Sequence, residues 1–133
     1  MIKTGAVVFV VDDDESVRKA LKRLIKSAGF EVEAFASAED FLNCGHRDVP
    51  GCLILDVRMP GLSGLELQSE LAASGSKMPV IFITARDDEQ ARLQAMRAGA
   101  VAFLQKPFDD QALLGAIHVA IYQGRSEERD SAG

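Results

Sequence analysis

Five residues of this sequence stand where apolar runs stop, and their types suit one chemistry. Ala6 to Val11 runs into Asp12 and Asp13, and Leu53 to Leu55 into Asp56. Val80 to Ile83 runs into Thr84, and Val101 to Leu104 leads past Gln105 to Lys106. If those runs are parallel strands, all five side chains lie at or just past strand ends on one edge. In open parallel α/β sheets, that carboxyl edge is where ligands bind. Three carboxylates crowded there repel one another, and need a cation or raised pKa values. Oxygen-only ligands with open positions suit Mg²⁺, which takes one or two carboxylates, keeps waters and reaches phosphate oxygens. A lysine and a threonine hydroxyl add a positive charge and a donor for phosphoryl oxygens. Together these groups make a phosphoryl-transfer site with the phosphate landing on an aspartate. Turn chemistry alone would explain any one of them, as it would a strand-ending Asp56.

The elements that must position these residues are legible as a pattern. Strand-like runs recur at Ala6–Val11, Val32–Phe35, Cys52–Leu55, Val80–Ile83 and Val101–Leu104, with helical spacing between them. That alternation predicts an α/β fold: a doubly wound parallel sheet with helices on both faces and right-handed crossovers. The run around Glu31 to Phe35 alternates, as an edge strand does. Asp14 is placed to cap a first helix that Gly29 ends, with Val17, Leu21, Leu24, Ile25 and Ala28 inside. Its outer side carries Arg18, Lys19, Lys22, Arg23 and Lys26, either a solvated face or a docking surface for an acidic partner. Ser37 caps a short helix to Asn43, and Ser63 a third with Leu65, Leu67 and Leu71 inward. Pro60-Gly61 fits the centre of a type II turn just after Asp56. Asp87 or Asp88 caps the fourth helix and Gly99 ends it. Asp109 or Asp110 starts the last, with Leu113, Leu114, Ile117 and Ile121 on one face. Residues 1–123 read as one domain, and 124–133 as a polar tail or the start of a linker without regular structure.

Composition narrows the class. The chain's 133 residues suit one core. A net charge of −5, without a basic cluster interleaved with aromatics, argues against nucleic-acid contact by this domain itself. No apolar run is long enough to span a membrane, and Met1 to Gly5 shows no signal peptide, so a cytoplasmic location is expected. Cys44 and Cys52 have neither disulfide nor metal-ligand spacing and read as inert reduced thiols. His46 and His118 each stand alone, which favours loop and structural roles over catalysis.

At this point a family resemblance is plain. From about Val7 to Tyr122 the chain resembles the receiver domain of two-component response regulators. The carriers are Val10-Val11-Asp12-Asp13, Leu55-Asp56-Val57-Arg58-Met59-Pro60-Gly61 with Gly64, Ile83-Thr84-Ala85, and Phe103-Leu104-Gln105-Lys106-Pro107-Phe108. The stretch from Phe103 to Ile117 looks most like FixJ-type receivers, which usually precede a LuxR-type helix-turn-helix domain. The resemblance implies a flavodoxin-like five-stranded sheet in the order 2-1-3-4-5. It implies that Asp56 accepts a phosphoryl group from a sensor histidine kinase. It also implies Mg²⁺ held by Asp13, Asp56 and the Arg58 backbone carbonyl, with Asp12 assisting through water. Thr84 and Lys106 would contact the phosphoryl group, and the Lys106-Pro107 peptide would be cis. Thr84 and Phe103 would be the switch residues, moving together to reshape the face made by the fourth helix, fifth strand and fifth helix. That face would control an output, transcription through a further domain, and would support a phosphorylation-dependent homodimer. Such a module is not an enzyme in the usual sense, because it supplies groups only for its own phosphorylation and dephosphorylation.

Other readings use the same residues differently. Asp12-Asp13-Asp14 contains a D-x-D, with Asp12 as nucleophile and Asp14 as general acid, as in haloacid-dehalogenase-type phosphatases. A receiver-like scaffold without phosphorylation is a third reading, and the intact acidic pair, Asp56, Thr84 and Lys106 speak against it. Arg58 and Arg86, each two residues past a site residue, are either solvent-facing loop arginines or groups that meet the phosphoryl group and its attacking water.

Overall fold

The computed structural model describes residues 6–44, 50–86 and 88–132, with side chains as far as 122. His46 and Asp87 therefore lie outside the described residues. Ten elements alternate strictly: β1 (Val7–Val11), α1 (Glu15–Ser27), β2 (Glu31–Phe35), α2 (Ala38–Asn43), β3 (Gly51–Asp56), α3 (Gly64–Ala73), β4 (Val80–Thr84), α4 (Glu89–Arg97), β5 (Ala102–Gln105) and α5 (Asp110–Ala132). All strand pairs are parallel, in the order β2-β1-β3-β4-β5. The expected order and doubly wound form are both observed. Register aligns Val11 with Leu55 and Asp56 with Ile83, so the C-terminal ends of β1, β3 and β4 share one edge.

The sheet is buried on both faces because its central strands are apolar without alternation up to their last residues. Alternate residues serve opposite faces. Phe9, Val11, Leu53, Leu55 and Phe82 pack with Phe41 of α2, Leu67 and Leu71 of α3, and Ala91 and Ala95 of α4. Val8, Val10, Ile54, Ile81 and Ile83 pack with Leu21 and Ile25 of α1 and with Leu113 and Ile117 of α5. β2 is the half-exposed edge its alternation predicts.

Local chemistry sets the helix ends. Asp14 accepts from the Ser16 and Val17 N–H groups to start α1, and Ser37 does the same for α2 with Asp40 N–H. Ser63 and Glu66 form a reciprocal capping box at α3. Asp88 starts α4, and Asp109 accepts from Ala112 N–H at the start of α5. Gly29 and Gly99 follow α1 and α4 with φ of 92° and 98°, a region glycine reaches without steric penalty.

Some details differ from expectation. Ala28, placed inside the first helix by its spacing, is exposed, because it stands at the cap position where α1 ends. β5 begins and ends one residue later than the apolar run, which brings its last residue directly before Lys106. Arg18 does not join the solvated basic face of α1, because its Nη1 donates to the Asp12 carbonyl at 2.7 Å. α5 does not stop before Gly124: its backbone is helical through Ala132. That last stretch lacks apolar periodicity, but Glu and Arg are good helix formers, and extending a nucleated helix needs no new nucleus.

Candidate functional site

β1 and β3 deliver the acidic residues to one point. Asp12 is fully buried and Asp56 nearly so, while Asp13 is exposed. Carboxylate oxygens of Asp12, Asp13 and Asp56 all lie within 4.8 Å of one another. β5 delivers the counter-charge. Lys106 Nζ donates to Asp12 Oδ2 at 2.9 Å and lies 3.7 Å from Asp56 Oδ2. The backbone holds this geometry: Lys106 N–H donates to the Thr84 carbonyl, and Val57 N–H to the Ile83 carbonyl. The Lys106-Pro107 peptide is cis, as the resemblance implies.

The electrostatics follow from that crowding. Burial first, and the Asp12 charge second, push the Asp56 carboxyl up to about 6. Burial alone would lower the Lys106 ammonium, but the hydrogen bond to Asp12 and the charges of Asp12, Asp56 and Asp14 outweigh it and raise it. Asp14 goes the other way. Hydrogen bonds from Ser16 hold it below the ordinary carboxylate range.

Thr84 is buried at the end of β4, with its hydroxyl turned to its own loop. Oγ1 donates to the Arg86 carbonyl at 3.1 Å and accepts from Arg86 N–H at 3.2 Å. Phe103, on β5, is half-buried with its ring centroid 6.0 Å from that of Phe82. Arg58 N–H donates to Asp56 Oδ1 at 3.3 Å, and its guanidinium is bonded to Asp88. Arg86 has an exposed side chain. The strand ends thus bring Asp12, Asp13, Asp56 and Lys106 together, and hold Thr84 and Arg58 beside them in other hydrogen bonds.

The other single residues keep structural roles. His118 meets Phe30 edge-on, with ring centroids 5.2 Å apart. Cys52 is buried, and burial pushes its thiol up to about 12, where it is not a nucleophile at neutral pH.

Gly64, the first residue of α3, packs against the backbone of Asp56. A Cβ there would lie 2.2 Å from the Asp56 carbonyl oxygen, a backbone atom with nowhere to go. Gly64→Ala is expected to lower stability by about 1–3 kcal/mol through that overlap. Urea denaturation checks it, and an unchanged midpoint would contradict the close approach.

Sequence reasoning missed two contacts. Arg18 bonds the carbonyl of Asp12, and Asp88 bonds Arg58 across 30 positions of sequence. The signal for the first was slight: Arg18 lies one turn past the Asp14 cap, pointing back toward the strand end. No local pattern announces the second.

The set suits a divalent cation. Three clustered carboxylates offer oxygen donors alone, which suits a hard divalent ion better than thiolate- or imidazole-loving metals. No helix among the described residues is long and apolar enough to cross a membrane.

Comparison with known proteins agrees with the geometry. The family model for the response regulator receiver domain matches residues 8–118. Nodulation protein W of Bradyrhizobium diazoefficiens is 51% identical over 122 residues, covering 92% of this chain and 54% of that protein. Transcriptional regulatory protein FixJ of Azorhizobium caulinodans is 46% identical over 122 residues, covering 92% and 57%. The solved structure of FixJ-N superposes with a TM-score of 0.82 at 40% identity, covering 88% of this chain and 94% of that one. The chain spans about half the length of the curated relatives it matches. With that sheet order, that acidic cluster and that family match, the chain belongs to the response regulator receiver domains of two-component systems.

Proposed function

We propose that Asp56 is the phospho-acceptor of this receiver and that a sensor histidine kinase is its phosphodonor. The observation that carries this reading is Asp56 between Asp12 and Lys106, nearly buried, with its carboxyl pushed up to about 6. A desolvated carboxylate with a raised pKa is a better nucleophile, and above pH 6 it is mainly ionised. An Asp56 oxygen attacks phosphorus, a P–O bond forms, and the P–N bond to the donor imidazole breaks. Lys106 moves toward the incoming phosphoryl oxygens from 3.7 Å away and screens their charge. The Thr84 hydroxyl leaves Arg86 to donate to the same oxygens. Hydrolysis reverses the charge movement: water attacks phosphorus and the Asp56 carboxylate leaves. Asp13, Asp56 and the Arg58 carbonyl, with Asp12 assisting through water, would hold Mg²⁺, which would supply charge neutralisation for the phosphoryl oxygens.

Phe103 turns into the space Thr84 leaves, so the α4-β5-α5 face changes packing by population shift. Phe has no hydroxyl, so this step rests on packing alone. Leu93 and Met96 of α4 are exposed apolar side chains beside that face and support a phosphorylation-dependent homodimer through α4 and β5. Light scattering is expected to show a mass increase with a phosphoryl mimic, and an unchanged monomer mass would contradict it. For the kinase, α1 offers a groove of about 570 Å³ lined by Val17, Ala20, Leu24 and Phe108, with Arg23 at its rim. Residues 1–123 are read as the cytoplasmic receiver unit, not a turnover enzyme, and the stretch after 123, where the α5 backbone continues to Ala132, as its tail or the start of a linker. Control of transcription, as the relatives' names say of them, is the proposed output of the longer protein.

The phosphatase reading, with Asp12 as nucleophile and Asp14 as acid, fits poorly. Asp12 is fully buried and bonded to Lys106, and Asp14 is spent as the α1 cap with a lowered pKa. Intact mass after incubation with acetyl phosphate and Mg²⁺ separates the two readings. One phosphoryl adduct is expected in wild type, absent in EDTA and absent in Asp56→Asn. An adduct that survives Asp56→Asn would return the nucleophile to Asp12.

A further inference from the structure

Two loops bracket the acidic cluster, and one ion pair ties them together. Arg58 follows Asp56 by two residues, and its Nη2 donates to Asp88 Oδ2. Asp88 is also the cap of α4, its other oxygen accepting from Ala91 N–H at 3.0 Å. One carboxylate therefore starts α4 and holds Arg58. At the far end of the same loop, the Thr84 hydroxyl is fastened to the Arg86 backbone in both directions. The β4–α4 loop is pinned at both ends, and each pin occupies a donor that suits a phosphoryl oxygen: a hydroxyl and a guanidinium.

We propose that the Arg58–Asp88 ion pair is a latch on the β4–α4 loop, which positions Arg58 away from the acceptor and opens when a dianion on Asp56 draws Arg58 off Asp88. The proposal rests on the reading of Asp56 as acceptor. Three observations support it. Arg58 N–H already donates to Asp56 Oδ1, so the root of the side chain lies beside the carboxylate. Guanidinium prefers a phosphoryl dianion, two of whose oxygens can accept its paired N–H groups, to one carboxylate oxygen. The pair is also weak by placement, with side-chain exposures of 61% and 22%, so a single new charge suffices to open it. Release does not undo α4, because Asp88 keeps the Ala91 N–H on its other oxygen. Asp88 is thus a positioning residue, acting through Arg58 on the loop that carries Thr84.

The test uses beryllofluoride with Mg²⁺ as a stand-in for the phosphoryl group, and calorimetric titration as the readout. Asp88→Asn keeps a cap oxygen and removes the charge. It is expected to tighten beryllofluoride binding about two- to fivefold, the size of one exposed ion pair. In an Arg58→Ala background the same Asp88→Asn change is expected to have no effect. An equal effect in both backgrounds would mean that Asp88 acts only as a cap, and would overturn the latch. So would unchanged binding in Asp88→Asn. Both of those results leave the acceptor reading standing if binding is lost in Asp56→Asn. Binding that persists in Asp56→Asn overturns the acceptor reading and the latch with it.

Discussion

Lys106→Met is expected to slow phosphorylation of Asp56 by acetyl phosphate about 100-fold at saturating Mg²⁺, while the protein stays folded. Nζ sits 2.9 Å from Asp12 Oδ2 and 3.7 Å from Asp56 Oδ2 in a largely buried position. As the phosphoryl group arrives, negative charge accumulates where this ammonium already stands. A preorganised cation there needs no rearrangement at the moment of transfer. Methionine keeps most of the apolar stem and removes only the charge. The same change leaves Asp12 buried without its hydrogen-bonded cation. In EDTA the variant is therefore expected to lose about 1–3 kcal/mol of stability, limited by proton uptake at the carboxylates. Mg²⁺ is expected to return part of that loss. Single-turnover kinetics followed by intact mass give the rate, and thermal unfolding gives the stability. A phosphorylation rate within threefold of wild type would reduce Lys106 to a structural counter-ion.

The second large effect has the opposite sign. Asp56→Asn is expected to stabilise the metal-free domain at pH 7.5. The wild-type carboxyl titrates at about 6 when folded and near the ordinary 3.8 when unfolded. Between those values the folded chain binds more protons than the unfolded one. Stability therefore falls as pH rises through that window, and stays lower above it. The full shift corresponds to about 3 kcal/mol at 1.36 kcal/mol per pH unit. Solvent at the mouth of the site screens part of this, which leaves about 1–2 kcal/mol for the variant's gain. That is a rise of about 3–8 °C in Tm for a domain of this size. The gap should narrow as pH falls from 6 toward 4, because the folded wild-type carboxyl becomes protonated there and the unfolded one begins to follow. Thermal melts in EDTA from pH 4 to 7.5 check the profile. A variant no more stable than wild type at pH 7.5 would contradict the strained carboxylate. The site is thus destabilising without its ligand, as functional sites commonly are.

Most of this was legible in the sequence, for identifiable reasons. The central strands are apolar without alternation up to their ends, so Val7 to Val11 and Leu53 to Leu55 announce themselves and place Asp12 and Asp56 where they stop. Asp14, Ser37 and Ser63 mark helix starts because a side-chain oxygen must meet the free N–H groups there. Long-range pairing is not written in such patterns. Helical spacing put Arg18 among exposed lysines, yet its length lets it reach back to the Asp12 carbonyl. Arg58 and Asp88 lie on separate loops, and only the β3–β4 pairing brings them together. The end of α5 escaped for a different reason: polar residues carry no periodicity, while their helix propensity still allows the helix to continue.

The central claim is that one named carboxylate carries the phosphoryl group. Borohydride reduction of the phosphorylated protein tests it most directly, because hydride reduces the acyl carbon, phosphate leaves, and homoserine stands in place of the phosphorylated aspartate. Peptide mapping then reads the position. Homoserine is expected at Asp56 alone, in the Mg²⁺-treated sample and not in EDTA. Homoserine at Asp12 or Asp13, or none at all beside a stable phosphoryl adduct, would contradict it.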